Sequence, residues 1–189
     1  MKESGFVSKI KRLLQSYRRY VAIPWRSDAA AAQRVIFCVY NENDELRLRA
    51  GIDEFQIATR DFDHGWALFD LTDTFADWLA TQRYAKKYFQ QPHLLDGLMH
   101  RYLSYIKQEF EKFLQANKVT EGSVVALMGV GSLFDFLKAK SIVDELAPLV
   151  SGRLLVFFPG SYENNNYRLL DGYDGWNYLA VAITADKEF

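Results

Sequence analysis

Apolar positions along the chain fall into two patterns. Five short runs are apolar with little alternation: residues 35–40, 66–71, 124–128, 153–158 and 178–183. Runs of this kind predict strands, and 35–40, which is β-branched and aromatic without alternation, is expected to be buried on both faces of a sheet. Between them apolar residues recur every three or four positions, which predicts helices. The first helix covers residues 5–20, with Phe6, Val7, Ile10, Leu13, Leu14 and Tyr17 on one face and Ser4 as its N-cap. Pro24 ends that segment, and residues 28–32 lead into the first strand. A second helix is predicted over about 45–60, and a third over 74–90 with Thr74 and Asp77 as a capping box. Pro92 restarts helix, and the stripe that includes Leu95, Tyr102, Ile106 and Phe110 makes the longest amphipathic segment. Helical turns occupy about 132–149.

Strands separated mostly by helices predict α/β architecture: a three-layer sandwich with a mostly parallel central sheet of about five strands and helices on both faces. The 189 residues suit one domain, with residues 1–26 as a basic amphipathic helix and linker packed on it. The connection 159–177 is unusually long for a compact domain, a length associated with function, although 166–171 suits a short helix.

Composition narrows the class. Hydrophobic residues make up 49% of the chain, which excludes a disordered protein. Net charge is -1, so no global field draws the chain to nucleic acid. The charge is uneven: residues 1–26 hold seven Lys and Arg against one acid, and the remainder balances at -7. The uninterrupted apolar runs are far shorter than the ~20 residues that span a bilayer, and the basic N-terminal segment lacks the apolar core of a signal peptide. A lone cysteine, Cys38, sits inside an apolar run and forms no disulfide framework. Together these features predict a cytoplasmic protein with no membrane contact. Cys38 is expected to be a buried small hydrophobe.

Candidate chemistry is sparse. Gly129, Gly131 and Ser132 follow the third strand as part of a dinucleotide-type turn, where glycines let backbone amides approach a phosphate. The pattern is incomplete, because Phe134 holds the third glycine position and no Gly-Lys pair exists for a P-loop. A tight turn capped by Ser132 competes with phosphate binding. Asp70 and Asp73 place two carboxylates after the second strand, where they suit magnesium, acid–base chemistry or, more commonly, helix capping. Neither Ser132 nor Ser161 matches a hydrolase nucleophile turn. His64, His93 and His100 lack metal-ligand spacing. No cofactor is expected, and no catalytic residue is assigned.

The long connection concentrates Tyr162, Tyr167, Tyr173 and Trp176 with Asn164, Asn165, Asn166 and Arg168. Rigid rings with Asn and Arg suit a protein interface. Two other uses compete: stacking of nucleic-acid bases, which the local acids disfavour, and simple cover of the sheet edge. Lys11, Arg12, Arg18 and Arg19 on the first helix offer a basic face for phosphate or an anionic surface. A solvated outer face is the simpler account.

Several stretches in order resemble the BrxB family, the small protein of bacteriophage-exclusion (BREX) defence systems. They are residues 20–25 (YVAIPW), 33–40 (QRVIFCVY), 70–78 (DLTDTFADW), 124–134 (VVALMGVGSLF), 153–167 (RLLVFFPGSYENNNY) and 173–181 (YDGWNYLAV). The resemblance implies a component of anti-phage defence encoded beside a DNA methyltransferase, a large ATPase and the alkaline-phosphatase-like protein PglZ. It brings no catalytic residues with it. The expectation is a non-catalytic adaptor that binds a PglZ-like protein, with the methyltransferase and the ATPase as further candidate partners. A nucleotide- or phosphate-sensing subunit using Gly129, Gly131 and Ser132 is the first alternative. A DNA-binding subunit using the basic helix is the second, with DNA contact expected to be indirect or weak.

Overall fold

The computed structural model describes residues 8–26, 28–172 and 175–186. Its strands are β1 (Val35–Tyr40), β2 (Gly65–Asp70), β3 (Ser123–Met128), β4 (Arg153–Glu163), β5 (Asn166–Leu169), β6 (Trp176–Asn177) and β7 (Val181–Ile183). Five lie in the order β2-β3-β4-β1-β7, with every neighbouring pair parallel. β4 then runs on past its parallel neighbours and pairs antiparallel with β5, which pairs with β6. The protein is therefore mixed α/β with a mostly parallel sheet, and among the described residues there are seven strands where the apolar runs predict about five.

β1 and β3 are buried along their whole length, as are the first seven residues of β4. Pleating sorts their side chains into two sets. Phe37, Leu127, Val156 and Phe158 pack with Tyr102, Ile106 and Phe110 of α6 (Met99–Ala116) and with Ile142 and Leu146 of α7 (Ala139–Leu146). Ile36, Cys38, Ala126, Leu155 and Phe157 pack with Leu13 and Tyr17 of α1 (Lys9–Val21) and with Phe55 of α3 (Ile52–Arg60). Each Val, Leu, Ile or Phe among them contributes about 1.5–3 kcal/mol on burial. The Tyr17 hydroxyl, fully enclosed, is paired with Thr59 Oγ1 at 2.6 Å, so its burial leaves no orphan donor.

The helices break where local polar groups intervene. α1 starts at Lys9 because Ser8 Oγ accepts from the Lys11 amide; the expected cap Ser4 and the apolar Phe6 and Val7 lie outside the described residues. The helix predicted over 45–60 is two, α2 (Glu45–Ala50) and α3, separated at Gly51. The one predicted over 74–90 is also two, α4 (Thr74–Ala80) and α5 (Ala85–Gln90). At that break Thr81 and Gln82 side chains donate to the Trp78 carbonyl and end the helix. The expected capping box does not form: Thr74 Oγ1 donates to the Leu71 carbonyl and meets the Tyr102 hydroxyl. Residues 92–98 form a 3-10 helix that leads into α6.

The largest correction concerns 159–177. Residues 166–171 do not form a short helix. Asn164 and Asn165 both adopt left-handed φ, at 51° and 64°, and make a two-residue hairpin turn between β4 and β5. Asn tolerates that region better than other side-chain-bearing residues. Gly160 permits the close pairing, since a Cβ there would lie 2.0 Å from the Arg168 carbonyl oxygen. The last predicted strand is likewise shorter, confined to Val181–Ile183.

Candidate functional site

Open α/β sheets place ligands beyond the carboxyl ends of their strands. In this protein that edge is laced by side chains. The Tyr40 hydroxyl at the end of β1 donates to Glu45, which also accepts from Arg49 Nε at 2.7 Å. Arg49 reaches on to Asp70 Oδ2 at 3.2 Å, at the end of β2, and to Thr72 Oγ1 at 2.8 Å. Asp70 Oδ1 accepts from the Thr72 amide at 2.9 Å and from its hydroxyl. Burial alone would raise the Asp70 carboxyl, but the Thr72 donors and the Arg49 guanidinium outweigh it and hold it below the usual carboxylate range. Asp70 is thus an ionised acceptor tied to its neighbours. Asp73 occupies the N-cap position of α4 without a side-chain capping bond.

The glycine turn packs against this network. Gly129 has φ 79°, and a Cβ on it would fall 2.5 Å from Thr72 Oγ1 and 2.7 Å from Asp70 Oδ1. Gly131 abuts Pro159 and Leu170. Ser132 Oγ donates to the Gly129 carbonyl at 2.6 Å, within a 3-10 turn of four residues. The structure thus places all three residues predicted for phosphate in one turn and gives each an internal neighbour.

The aromatic segment forms the hairpin. Tyr167 is fully buried and packs its ring against Phe37, Tyr162 and Trp176. Burial, reinforced by Tyr162, pushes its hydroxyl pKa up. Trp176 also meets Phe158 and Tyr178. Tyr167 thus belongs to the core cluster, and Tyr162, Trp176 and Tyr178 pack against it. Asn164, Asn165, Asn166 and Arg168 remain exposed. Asn165 Oδ1 accepts from the Tyr162 hydroxyl at 2.9 Å. Among the described residues, the side chains of Asn164, Asn166 and Arg168 have no hydrogen bond or ion pair. Tyr173 lies outside the described residues.

On α1, Arg12 pairs with Asp186 at 2.9 Å and Arg18 with Asp61 at 2.6 Å. Lys11 and Arg19 are exposed. Cys38 is fully buried, and desolvation pushes its thiol pKa up. No His, Cys, Asp and Glu group with metal-binding geometry occurs among the described residues, and no helix there is long and apolar enough to cross a membrane.

Sequence reasoning missed one constellation. Arg153, the first residue of β4, is buried, and its guanidinium lies 4.9 Å from the Trp25 ring. His64 stacks on Trp25 at 3.7 Å. An arginine opening an otherwise apolar strand, together with the isolated Trp after Pro24, was the available signal.

A polar-laced sheet end and a strand-extending hairpin are the distinguishing features of this α/β protein. The model of the family described as BREX protein BrxB matches residues 67–183, well over half of the chain. The chain belongs to the BrxB family and is a component of a BREX anti-phage system. Neither a curated protein nor a solved structure matches it.

Proposed function

We propose that the protein is a non-catalytic adaptor of a BREX complex and that the β4–β5 hairpin carries the contact with a PglZ-like partner. One observation supports this above all. The hairpin extends beyond the parallel sheet, its inward face is fixed by the rings of Tyr162, Tyr167 and Trp176, and its turn and outward face present exposed Asn164, Asn166 and Arg168. A recognition element already rigid in the free protein loses little entropy on binding. The non-catalytic part is supported by the sheet end, where Glu45, Arg49, Asp70 and Thr72 satisfy one another.

The test is co-purification of the tagged chain from its operon, with the parent compared with Asn166→Glu/Arg168→Glu. Both positions are exposed, so circular dichroism and melting temperature should match the parent. Recovery of the PglZ-like protein should fall about tenfold, the equivalent of about 1.4 kcal/mol. Undiminished recovery with the double variant would remove the hairpin from the interface. Failure of the parent to recover any BREX protein would remove the adaptor role.

A further inference from the structure

We propose that a cavity at the starting ends of β4 and β7 binds a carboxylate carried on an aliphatic body. The cavity has a volume of about 340 Å³, and its lining includes Ile23, Pro24, Trp25, Arg26, Arg153 and Leu179. It lies at the strand starts, whereas the hairpin lies past the strand ends, so the two sites are independent.

The charge comes from Arg153. The residue is only 6% exposed, and among the described residues no carboxylate lies within ion-pair distance of it. Its Nη2 donates to the Arg26 carbonyl at 3.2 Å, while its Nε has no partner. The indole nitrogen of Trp25 beside it is also buried without a partner. A guanidinium removed from water is costly unless an anion and hydrogen bonds compensate it. The other cation of the lining, Arg26, is already matched by Asp28 at 2.8 Å. One uncompensated positive charge therefore faces the cavity, which matches a monoanion. Arg153 lines the cavity, and the donor fork of a guanidinium suits the two oxygens of a carboxylate.

The body follows from the rim. Ile23 and Leu179 are 50% and 78% exposed and flank the opening with Pro24. Trp25 is engaged by His64 and by Arg153, so its ring is committed within the protein. An aliphatic rim over a cationic floor selects an aliphatic acid over a nucleobase. Such a group is supplied either by a free small acid or by the carboxyl terminus of a chain ending in an aliphatic residue.

The experiment follows the Trp25 indole N–H resonance of the full chain, assigned with Trp25→Phe, during titration. N-acetyl-leucine, N-acetyl-leucinamide, a hexapeptide with a free C-terminal Leu, inorganic phosphate and ATP are the probes. The acid should shift the resonance saturably in the millimolar range, and the amide should bind at least about tenfold more weakly. Arg153→Met should abolish the shift. Because that buried change can also unfold the chain, Leu179→Glu serves as the second variant: its site is exposed, the melting temperature should hold, and acid binding should fall about tenfold from charge repulsion and lost apolar contact. Equal affinity for N-acetyl-leucine and the peptide assigns the site to free acids; binding of the peptide alone assigns it to a chain terminus. Equal response to acid and amide, saturation by phosphate or ATP in preference to both carboxylates, or no saturable shift with any probe would overturn the proposal.

Discussion

Replacing Gly129 by alanine tests whether the glycine turn is held by packing on the Asp70–Thr72 network. At φ 79° an alanine is left-handed, which costs about 1–2 kcal/mol. Its Cβ would also sit 2.5 Å from Thr72 Oγ1 and 2.7 Å from both Asp70 Oδ1 and the Thr72 amide nitrogen. These distances are well inside van der Waals contact, so the turn must shift and weaken its carboxylate bonds. Those groups are partly exposed, and solvent screening limits that loss to about 0.5–1 kcal/mol. The expected total is roughly 1.5–3 kcal/mol, read as a fall of about 1 M in the urea midpoint with an unchanged slope. Gly97→Ala is the control, since a Cβ there meets nothing within 4 Å. Thr72→Ala removes one of the three clashing atoms and should return part of the loss in the double variant, while the amide nitrogen keeps the rest. A Gly129→Ala midpoint within about 0.2 M of the parent, or no coupling to Thr72→Ala, would refute the packing account.

Three more expectations are independent of that one. Asp70→Asn should lower stability at neutral pH, and the deficit should close as pH falls below about 4, because a carboxyl held below its unfolded range contributes only while ionised; thermal melts from pH 7 to 3 check this, and an equal deficit at both ends would separate the effect from charge. Tyr167→Phe should cost no more than about 1 kcal/mol, since its hydroxyl has only a 3.4 Å contact to the Ala180 carbonyl, whereas Tyr167→Ala should cost about 3–5 kcal/mol for the emptied ring site. Chemical denaturation separates the two. Cys38 should react with a thiol reagent only as fast as the chain opens, because it is buried and its thiolate is disfavoured; rapid labelling in native buffer would contradict the buried placement.

β1, β3 and the first part of β4 were legible because burial on both faces leaves a continuous apolar run, as in Val35–Tyr40. The stripe of α6 was legible for the same reason, at helical spacing. The hairpin was not, because Asn, Arg and Tyr at 162–168 mix loop composition with a period-two pattern only four residues long. Only Tyr167 and Leu169 of β5 turn inward, and that is visible once β4 is known to continue past Pro159. Helix breaks at Gly51 and Thr81 depend on which carbonyl a nearby donor reaches, a tertiary detail that spacing alone leaves open. The aromatic segment was recognisable as unusual from its composition, but the direction of its rings was not. Arg153 went unnoticed because a single charged residue at a strand start resembles an ordinary strand boundary; its meaning depends on Trp25, 128 positions earlier in the chain.

Where uncommitted chemistry remains follows from this accounting. The strand ends, where α/β proteins usually hold ligands, are occupied by a relay from Tyr40 through Glu45 and Arg49 to Asp70 and Thr72, with Gly129 pressed against its last member. Each donor in that relay has an acceptor within the chain, so a ligand entering there must first displace an internal bond. The hairpin tip and the strand-start cavity differ in kind. At the tip, polar groups are free and solvated, and a partner can engage them without breaking internal bonds. In the cavity, the Arg153 guanidinium has the Arg26 carbonyl on Nη2 but no partner on Nε and no carboxylate among the described residues, so an arriving carboxylate supplies a charge partner the protein does not otherwise provide. That difference predicts salt responses of unequal size: hairpin contacts through Arg168 should weaken with ionic strength, while the enclosed Arg153 pair should be screened far less.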